Sequence, residues 1–244
     1  MARVDADFST VAKLLASPAR SAIAGALMDG RALTGGELAQ VAGVSASTAS
    51  EHLAEMVAGG LVDVRCQGRH RYFALAGPEV AEALEILARI CPTTPVRSLR
   101  ASKEADALSF ARTCYDHLAG RLGVLVLAAL VDQQWLSELA DGYDVTPLGS
   151  DRLAALDLDA HALRGRRRRF AYPCLDWTDR RPHLAGALAA GLTTAFLANG
   201  WLRRTSRHRG LTVTPAGAAG LQTLLGVNVD AERVLDNDHP ARPA

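Results

Sequence analysis

The stretch TGGELAQVAGVSASTASEHLAEMVAGGLV, residues 34–62, is the most informative segment for the fold of the first part of the chain. Thr34 followed three residues later by Glu37 is a capping box, which predicts a helix start, and Gly43 predicts the tight turn that ends this helix. Ser45 is well suited to cap a second helix. Apolar residues recur along that helix at helical spacing, and its predicted buried face consists of Ala49, Leu53, Met56 and Val57. The stretch therefore predicts a helix-turn-helix.

The opposite face of the second predicted helix is polar and carries several small hydroxyl groups. Small hydroxyl groups let a helix approach phosphates and base edges closely, as a helix in the major groove of DNA must do. We therefore predict that this face contacts DNA. The candidate contact residues on it are Ser45, Ser47, Thr48, Ser50 and His52.

After Gly59 and Gly60 the apolar spacing changes from helical to strand-like, and a second apolar strand follows the segment QGRHR. This pattern predicts a two-stranded hairpin with Gly68 at its tip. The tip is basic and has no acidic neighbour, which suits contacts to phosphate or to the minor groove. The candidate DNA-binding residues of the hairpin are Arg65, Arg69, His70 and Arg71. A helix-turn-helix followed by a basic hairpin is a winged helix.

The composition of the whole chain limits the classes of protein to which it can belong. The chain has 244 residues, of which 49% are hydrophobic, 5% aromatic and 22% charged, with a net charge of +1 at pH 7. We expect a mainly α (α+β) protein, whose contact with nucleic acid is local because the overall charge is balanced. The apolar runs are shorter than the roughly 20 residues of a membrane helix, and four scattered cysteines do not form a secreted disulfide scaffold. We therefore expect a cytoplasmic protein without membrane association.

The segments SPARSAIAGAL, GELAQVAGVSASTASEHLAEMVAGGLV and GRHRYFAL resemble the ArsR/SmtB winged-helix repressors of bacteria. The resemblance covers roughly residues 8–91 and implies control by a ligand and binding to a pseudo-palindromic DNA operator. It also implies a homodimer, formed by the first helix and the helix after the wing, here Val80 to Ile90. Residues 34–42 lack the cysteine motif of the metal-sensing members, so the resemblance does not name the inducer. The alternative is a winged-helix protein-interaction module without specific DNA binding.

Enzymatic function is not expected, because the sequence contains no Gly-rich phosphate loop, nucleophile elbow or paired carboxylates on one helix face. We accordingly assign no catalytic residue. The stretch CPTTP at 91–95 interrupts any helix and predicts a domain boundary. We expect a winged helix-turn-helix domain for DNA binding and dimerisation at 1–95. The remainder, 96–244, is predicted to be an effector-sensing helical domain with short β-ribbons.

This second region looks internally duplicated. The tetrapeptide HLAG at 117–120 recurs 66 residues later at 183–186, and the pair Trp-Leu at 135–136 recurs at the same distance. The repeats span about 114–160 and 174–227. Each copy is predicted to contain a long apolar helix, at 117–133 or 183–199, then a Trp-Leu strand, a turn, a short strand and a helix begun at a Thr-Pro pair.

A cysteine precedes each copy of HLAG. Cys114 lies three residues before His117, and Cys174 lies nine residues before His183. Thiolate and imidazole are preferred zinc ligands, so one interpretation is a Cys2His2 site for zinc or another thiophilic metal. The alternatives are redox-sensing thiols, ordinary buried side chains, and a small-molecule pocket between the repeats.

The segment between the second cysteine and its histidine offers a different effector site. Trp177, Arg180 and Arg181 combine an aromatic platform with two guanidinium groups, which suits an anionic aromatic effector. The run from Arg166 to Arg169 is predicted to be an exposed loop. Together these patterns predict a DNA-binding transcriptional regulator, specifically a ligand-, metal- or redox-responsive repressor.

Overall fold

The computed structural model describes residues 7–91, 99–205 and 209–231. The chain divides into two compact units, Met1–Ala88 and Arg89–Ala244. Most of the predicted boundary CPTTP lies outside the described residues. Among the described residues, the helices are too short or too polar to cross a membrane.

The first unit combines helices with a small antiparallel sheet whose strand order is β1-β3-β2. Its elements are α1 (Phe8–Leu15), α2 (Pro18–Leu27), β1 (Leu33–Thr34), α3 (Gly35–Ala42), α4 (Ala46–Ala58), β2 (Val62–Gln67), β3 (His70–Leu75) and α5 (Pro78–Ala88). Side chains from α2, α3 and α4 form its core, including Ile23, Leu27, Leu38, Leu53 and Met56.

Local capping interactions explain where α3 and α4 begin. The Thr34 hydroxyl accepts a hydrogen bond from the Glu37 amide, and the Glu37 carboxylate accepts one from the Thr34 amide at 2.7 Å. Gly43 has a φ of +65° and ends α3, after which Ser45 caps α4. The predicted helix-turn-helix is confirmed, and so is the wing, in which the pairing of Gln67 with His70 leaves a two-residue turn at Gly68.

The second unit is built from helices and separate two-stranded hairpins. Its elements are α6 (Leu99–Phe110), β4 (Arg112–Cys114), β5 (His117–Ala119), α7 (Arg121–Asp132), β6 (Leu136–Leu139), β7 (Gly142–Val145), α8 (Pro147–Ala154), α9 (Ala160–Arg164), β8 (Tyr172–Leu175), β9 (Pro182–Ala185), α10 (Ala187–Ala198), β10 (Leu202–Arg204), β11 (Leu211–Val213) and α11 (Pro215–Leu225). The order hairpin, helix, hairpin, helix occurs twice, from β4 to α8 and from β8 to α11.

The two repeats of the second unit share one hydrophobic core. Helix α7 of the first repeat packs against β9 of the second, and α10 of the second packs against β5 of the first. Leu122, Leu130, Trp135, Leu188 and Phe196 are among the most buried side chains of this core. Because each repeat contributes a helix that covers the hairpin of the other, neither hairpin is buried by its own repeat alone.

The predicted helices at 117–133 and 183–199 start too early. Residues 117–119 and 183–185 form the second strands of hairpins, and the helices begin only after Gly120 and Gly186. These glycines have φ values of +77° and +101°, which are neither strand nor helix values. The backbone therefore changes direction at each glycine, between the strand and the helix. A Cβ atom on Gly120 would lie 2.6 Å from the Ser109 carbonyl oxygen, so the chain is also closely packed there. HLAG is therefore a buried strand that ends in a glycine corner.

Candidate functional site

The N-terminal end of α4 presents the predicted hydroxyl groups to the surface. Ser47 and Ser50 are exposed, and Thr48 and His52 are half-buried. The Ser45 hydroxyl accepts a hydrogen bond from the Thr48 amide at 3.2 Å and lies 2.8 Å from the Ser47 hydroxyl. Ser45 thus caps the helix, while Ser47 and Ser50 remain available to a ligand.

The wing displays its basic side chains on both faces of the hairpin. Arg65 is paired with Tyr72 and Arg71 with Cys66, and successive residues of a strand point to opposite faces. Arg69 lies in the turn, and the guanidinium carbon of Arg71 lies 5.3 Å from the centroid of the Phe73 ring. The predicted wing residues are all exposed, namely Arg65, Arg69, His70 and Arg71.

The cysteines and histidines of the second unit are cross-strand neighbours. Cys114 is directly opposite His117 in the β4–β5 hairpin, and Cys174 is directly opposite His183 in the β8–β9 hairpin. Directly opposite residues of a hairpin project from the same face with their Cβ atoms about 5 Å apart. Each hairpin therefore offers one thiol and one imidazole on a single face.

The two hairpins meet on these faces. The ring centroids of His117 and His183 are 5.2 Å apart. One ligand atom from each of Cys114, His117, Cys174 and His183 lies within 4.8 Å of the other three. Cys174 is half-buried and the other three side chains are buried. Four side chains that are up to 69 residues apart in the sequence thus form one cluster.

An aspartate lies beside each histidine of the cluster. Nδ1 of His117 is 3.3 Å from Oδ1 of Asp116, and Nδ1 of His183 is 3.3 Å from Oδ2 of Asp176. Within the described part of the chain, Nε2 of each histidine and Nδ1 of His183 are buried and have no hydrogen-bond partner. A carboxylate beside Nδ1 leaves Nε2 as the nitrogen that can bind a ligand.

Each aspartate is also paired with an arginine of the other repeat. Arg112 lies in β4, and Arg168 lies in the segment that precedes β8. Arg112, which is 1% exposed, donates to Asp176 at 2.8 Å, and Arg168 forms an ion pair with Asp116. The backbone amide of Gly120 donates to Asp176 at 2.7 Å. The two ion pairs connect the repeats around the cluster.

The neighbouring histidine and arginine favour the charged form of each carboxylate. Burial opposes ionisation of Asp176, but the imidazole of His183 beside it and the charge of Arg112 hold its pKa well below its usual range. Burial likewise opposes ionisation of Asp116, and its interactions with His117 and Arg168 lower its pKa.

The thiol of Cys174 is favoured in its ionised form. The hydrogen bond from Cys114 lowers the pKa of Cys174 despite burial, with further contributions from His117 and His183. Burial opposes the protonation of His183, but Asp176 and Cys174 raise its pKa. The environment of the cluster therefore favours a thiolate at Cys174, the form of a thiol that reacts and that binds metal ions.

The sequence patterns missed two residues that surround the cluster. Arg112 is a single charge in an apolar segment, and this isolation was the available signal. Arg168 was included in the predicted exposed run, which is correct for the exposed Arg166, Arg167 and Arg169 but wrong for Arg168, which is half-buried. Its three identical neighbours gave no means of distinguishing it.

The predicted effector residues do not share one environment. Trp177 is half-buried, and its ring centroid lies 4.8 Å from the guanidinium carbon of Arg112. Arg180 and Arg181 are exposed. The aromatic platform is thus covered by a buried arginine that the sequence had not indicated, and an anionic aromatic effector at this site stays a prediction.

Comparison with known proteins places the chain in a family. A family model described as a helix-turn-helix domain matches residues 15–65. The uncharacterized HTH-type transcriptional regulator YdfF of Bacillus subtilis (strain 168) is 39% identical over 223 residues, which cover 91% of this chain and 99% of the relative.

Solved structures match smaller parts of the chain. HlyU from Vibrio cholerae is 32% identical with a TM-score of 0.31, and the match covers 34% of this chain and 88% of HlyU. The cadmium sensor CmtR from Mycobacterium tuberculosis is 31% identical with a TM-score of 0.31, covering 38% of this chain and 100% of CmtR. Because the relative from B. subtilis matches nearly the whole chain, and the helix-turn-helix model spans α2 to α4, the chain belongs to the HTH-type transcriptional regulators.

Proposed function

We propose that this transcriptional regulator is a cytoplasmic homodimeric repressor whose second unit senses an effector. In this proposal α4 and the β2–β3 wing contact a pseudo-palindromic operator. The observation that carries it is the combination of an exposed hydroxyl-bearing helix front with an exposed basic hairpin tip. Since the net charge of the chain is only +1, this local concentration of positive charge favours a defined DNA contact over general adhesion to DNA.

Exposed apolar side chains on α1 and α5 support the dimer. Phe8 is 81% exposed and Ile86 is 52% exposed, although both are large apolar residues. Leu87 and Val11 are each 40% exposed on the same two helices. Such side chains are typical of an interface that a second subunit covers, and the resemblance to ArsR/SmtB repressors implies dimerisation through the same two helices.

The cluster of two thiols and two imidazoles supports a sensing role for the second unit. Its ionised thiol is the group with which an oxidant reacts, and the thiol together with the Nε2 atoms can bind a metal ion. The proposal therefore gives effector binding to the second unit and DNA binding to the first.

Fluorescence anisotropy with labelled DNA from upstream of the protein's own gene tests the DNA-binding part. We expect saturable binding that survives a scrambled competitor and weakens as salt increases. Absence of binding to any DNA at low salt would reject the proposal and support the protein-interaction alternative.

The double variant Arg69→Ala/Arg71→Ala tests the wing. We expect its operator affinity to fall by roughly an order of magnitude and its salt slope to fall by about 2, because two phosphate contacts are lost. The matched control is Arg152→Ala/Arg203→Ala, which removes the same charge from exposed positions of the second unit. Equal affinities of the wing variant and the control would contradict a DNA-contacting wing.

A further inference from the structure

We propose that Cys114, His117, Cys174 and His183 bind one zinc-class metal ion between the two repeats of the second unit, and that this ion is the effector. The effector role rests on the proposed function above. The binding site itself rests only on the geometry and chemistry of the cluster.

The ligand atoms are close to the arrangement that a tetrahedral ion requires. Zinc bound by two sulfurs and two nitrogens places these atoms roughly 3.3 to 3.8 Å from one another. In this protein the four ligand atoms already lie within 4.8 Å of one another. Closure by about an ångström would complete the site, and a small approach of the two hairpins supplies that movement.

The histidines are oriented for metal binding by the groups around them. Asp116 and Asp176 lie 3.3 Å from the Nδ1 atoms of the two rings. The opposite nitrogens, Nε2, are buried, and no described residue forms a hydrogen bond with them. A buried polar atom without a partner is destabilising, and coordination to a metal would satisfy both Nε2 atoms at once.

The charges around the cluster match a divalent cation. Asp176 is neutralised by Arg112 and Asp116 by Arg168, so the two carboxylates do not require the ion. Two cysteine thiolates would carry two negative charges into a mostly buried site, which is costly without compensation. One divalent cation makes the set of four ligands neutral.

The ligand types define the class of the ion. Thiolate and imidazole favour zinc and other thiophilic ions over magnesium or calcium, which prefer oxygen. Four protein ligands complete a tetrahedral zinc ion and leave no position for a catalytic water. The site is therefore suited to a structural or sensing ion rather than to catalysis.

Arg112 connects this site to the helix that follows the first unit in the sequence. Its guanidinium donates a hydrogen bond to Asp176, the aspartate beside His183. It also donates a hydrogen bond to the carbonyl oxygen of Leu108 in α6, at 3.1 Å. Since binding would draw the β4–β5 and β8–β9 hairpins together, it would also change the position of Arg112 and hence of α6. This gives a physical route by which the ion could influence DNA affinity.

Titration of the reduced, metal-free full-length protein with Zn²⁺ and Co²⁺ tests the site. We expect one ion per chain, a Co²⁺ spectrum with tetrahedral ligand-field and thiolate charge-transfer bands, and a rise in Tm of about 5 °C or more with Zn²⁺. The Co²⁺ spectrum of the unaltered protein does not depend on the folding of any variant. A spectrum without thiolate bands, or a stoichiometry near zero, would overturn the inference.

Substitution of the ligands assigns the binding to this cluster. Cys174→Ser and His183→Gln are each expected to weaken Zn²⁺ binding at least a hundredfold, measured by competition with a chromophoric chelator. The control is Cys91→Ser, which removes an exposed cysteine outside the cluster and should bind Zn²⁺ like the unaltered protein. Equal binding by all these proteins would show that the ion lies elsewhere.

The effector role is tested by measuring operator affinity with and without one equivalent of Zn²⁺. We expect the two affinities to differ at least fivefold in the unaltered protein and to be equal in Cys174→Ser. Metal binding without any change in DNA affinity would overturn the effector role but not the site. DNA binding without metal binding would overturn this inference and leave the proposed repressor standing.

Discussion

In each HLAG segment, four consecutive residues occupy four different environments. His117 and His183 belong to the cluster, Leu118 and Leu184 lie in the core, and the following alanines are completely buried. Gly120 and Gly186 then form the corners that lead into α7 and α10. In both repeats a histidine of the cluster, a core residue, a small buried residue and a glycine corner follow one another in this order.

Replacement of Gly120 by alanine should destabilise the second unit by at least about 2 kcal/mol. The residue has φ +77° and ψ −174°, a region that is essentially restricted to glycine, and the added Cβ would clash with backbone oxygens. Urea unfolding followed by tryptophan fluorescence measures this, because Trp135, Trp177 and Trp201 all lie in the second unit.

The control for this measurement is Gly165→Ala. Gly165 has φ −70°, and the nearest atom to an added Cβ is 3.6 Å away, so the free energy of unfolding should change by less than about 0.5 kcal/mol. Similar stabilities of the two variants would contradict the glycine-corner explanation of HLAG.

At the scale of elements, helices α8 and α11 begin in the same way. The hydroxyl of Thr146 accepts a hydrogen bond from the Gly149 amide, and that of Thr214 accepts one from the Gly217 amide, each at 2.9 Å. A proline follows each threonine in the first helical position. These caps were predictable from sequence because they involve residues within one helical turn.

Thr146→Ala and Thr214→Ala should each lower the free energy of unfolding of the second unit by about 1 kcal/mol, since each removes an N-cap. The two effects should add in the double variant, as the caps belong to different helices. Thr194→Ala, in the interior of α10 with an exposed side chain, is the matched control and should be close to neutral. Urea denaturation compares them, and a control as destabilised as the cap variants would argue against the capping role.

The hairpins in front of α7 and α10 show where element prediction fails. A short apolar run such as Leu118-Ala119 is compatible with a strand or with the first turn of a buried helix, and periodicity does not separate the two. In the structure, the positive φ angles of Gly120 and Gly186 separate the strand from the helix. Backbone atoms from distant segments lie so close to both positions that a Cβ atom would clash with them.

At the scale of the whole molecule, the exposed apolar residues of the first unit predict the oligomeric state. The double variant Phe8→Glu/Ile86→Glu should be monomeric at concentrations where the unaltered chain is a dimer, because charged side chains would be buried in the interface. Sedimentation velocity measures the change. The variant should also bind operator more weakly, since one half-site alone is contacted.

The control for the dimer experiment is Glu82→Gln, which alters an exposed residue of α5 without removing apolar surface. It should remain a dimer. A double variant that also remains a dimer would show that α1 and α5 are not the interface.

The winged helix could be predicted from sequence, because capping boxes, glycine turns and the change from helical to strand-like spacing act over a few residues. It also identified all four members of the Cys/His cluster as candidates, through the repeated HLAG. The sequence did not predict that Arg112 and Arg168 pair with aspartates of the opposite repeat, and the meeting of Cys114 with Cys174 becomes visible in the folded chain. The physical reason is distance along the chain: the packing of α7 on β9 and of α10 on β5 brings these residues together, and no local preference encodes that packing.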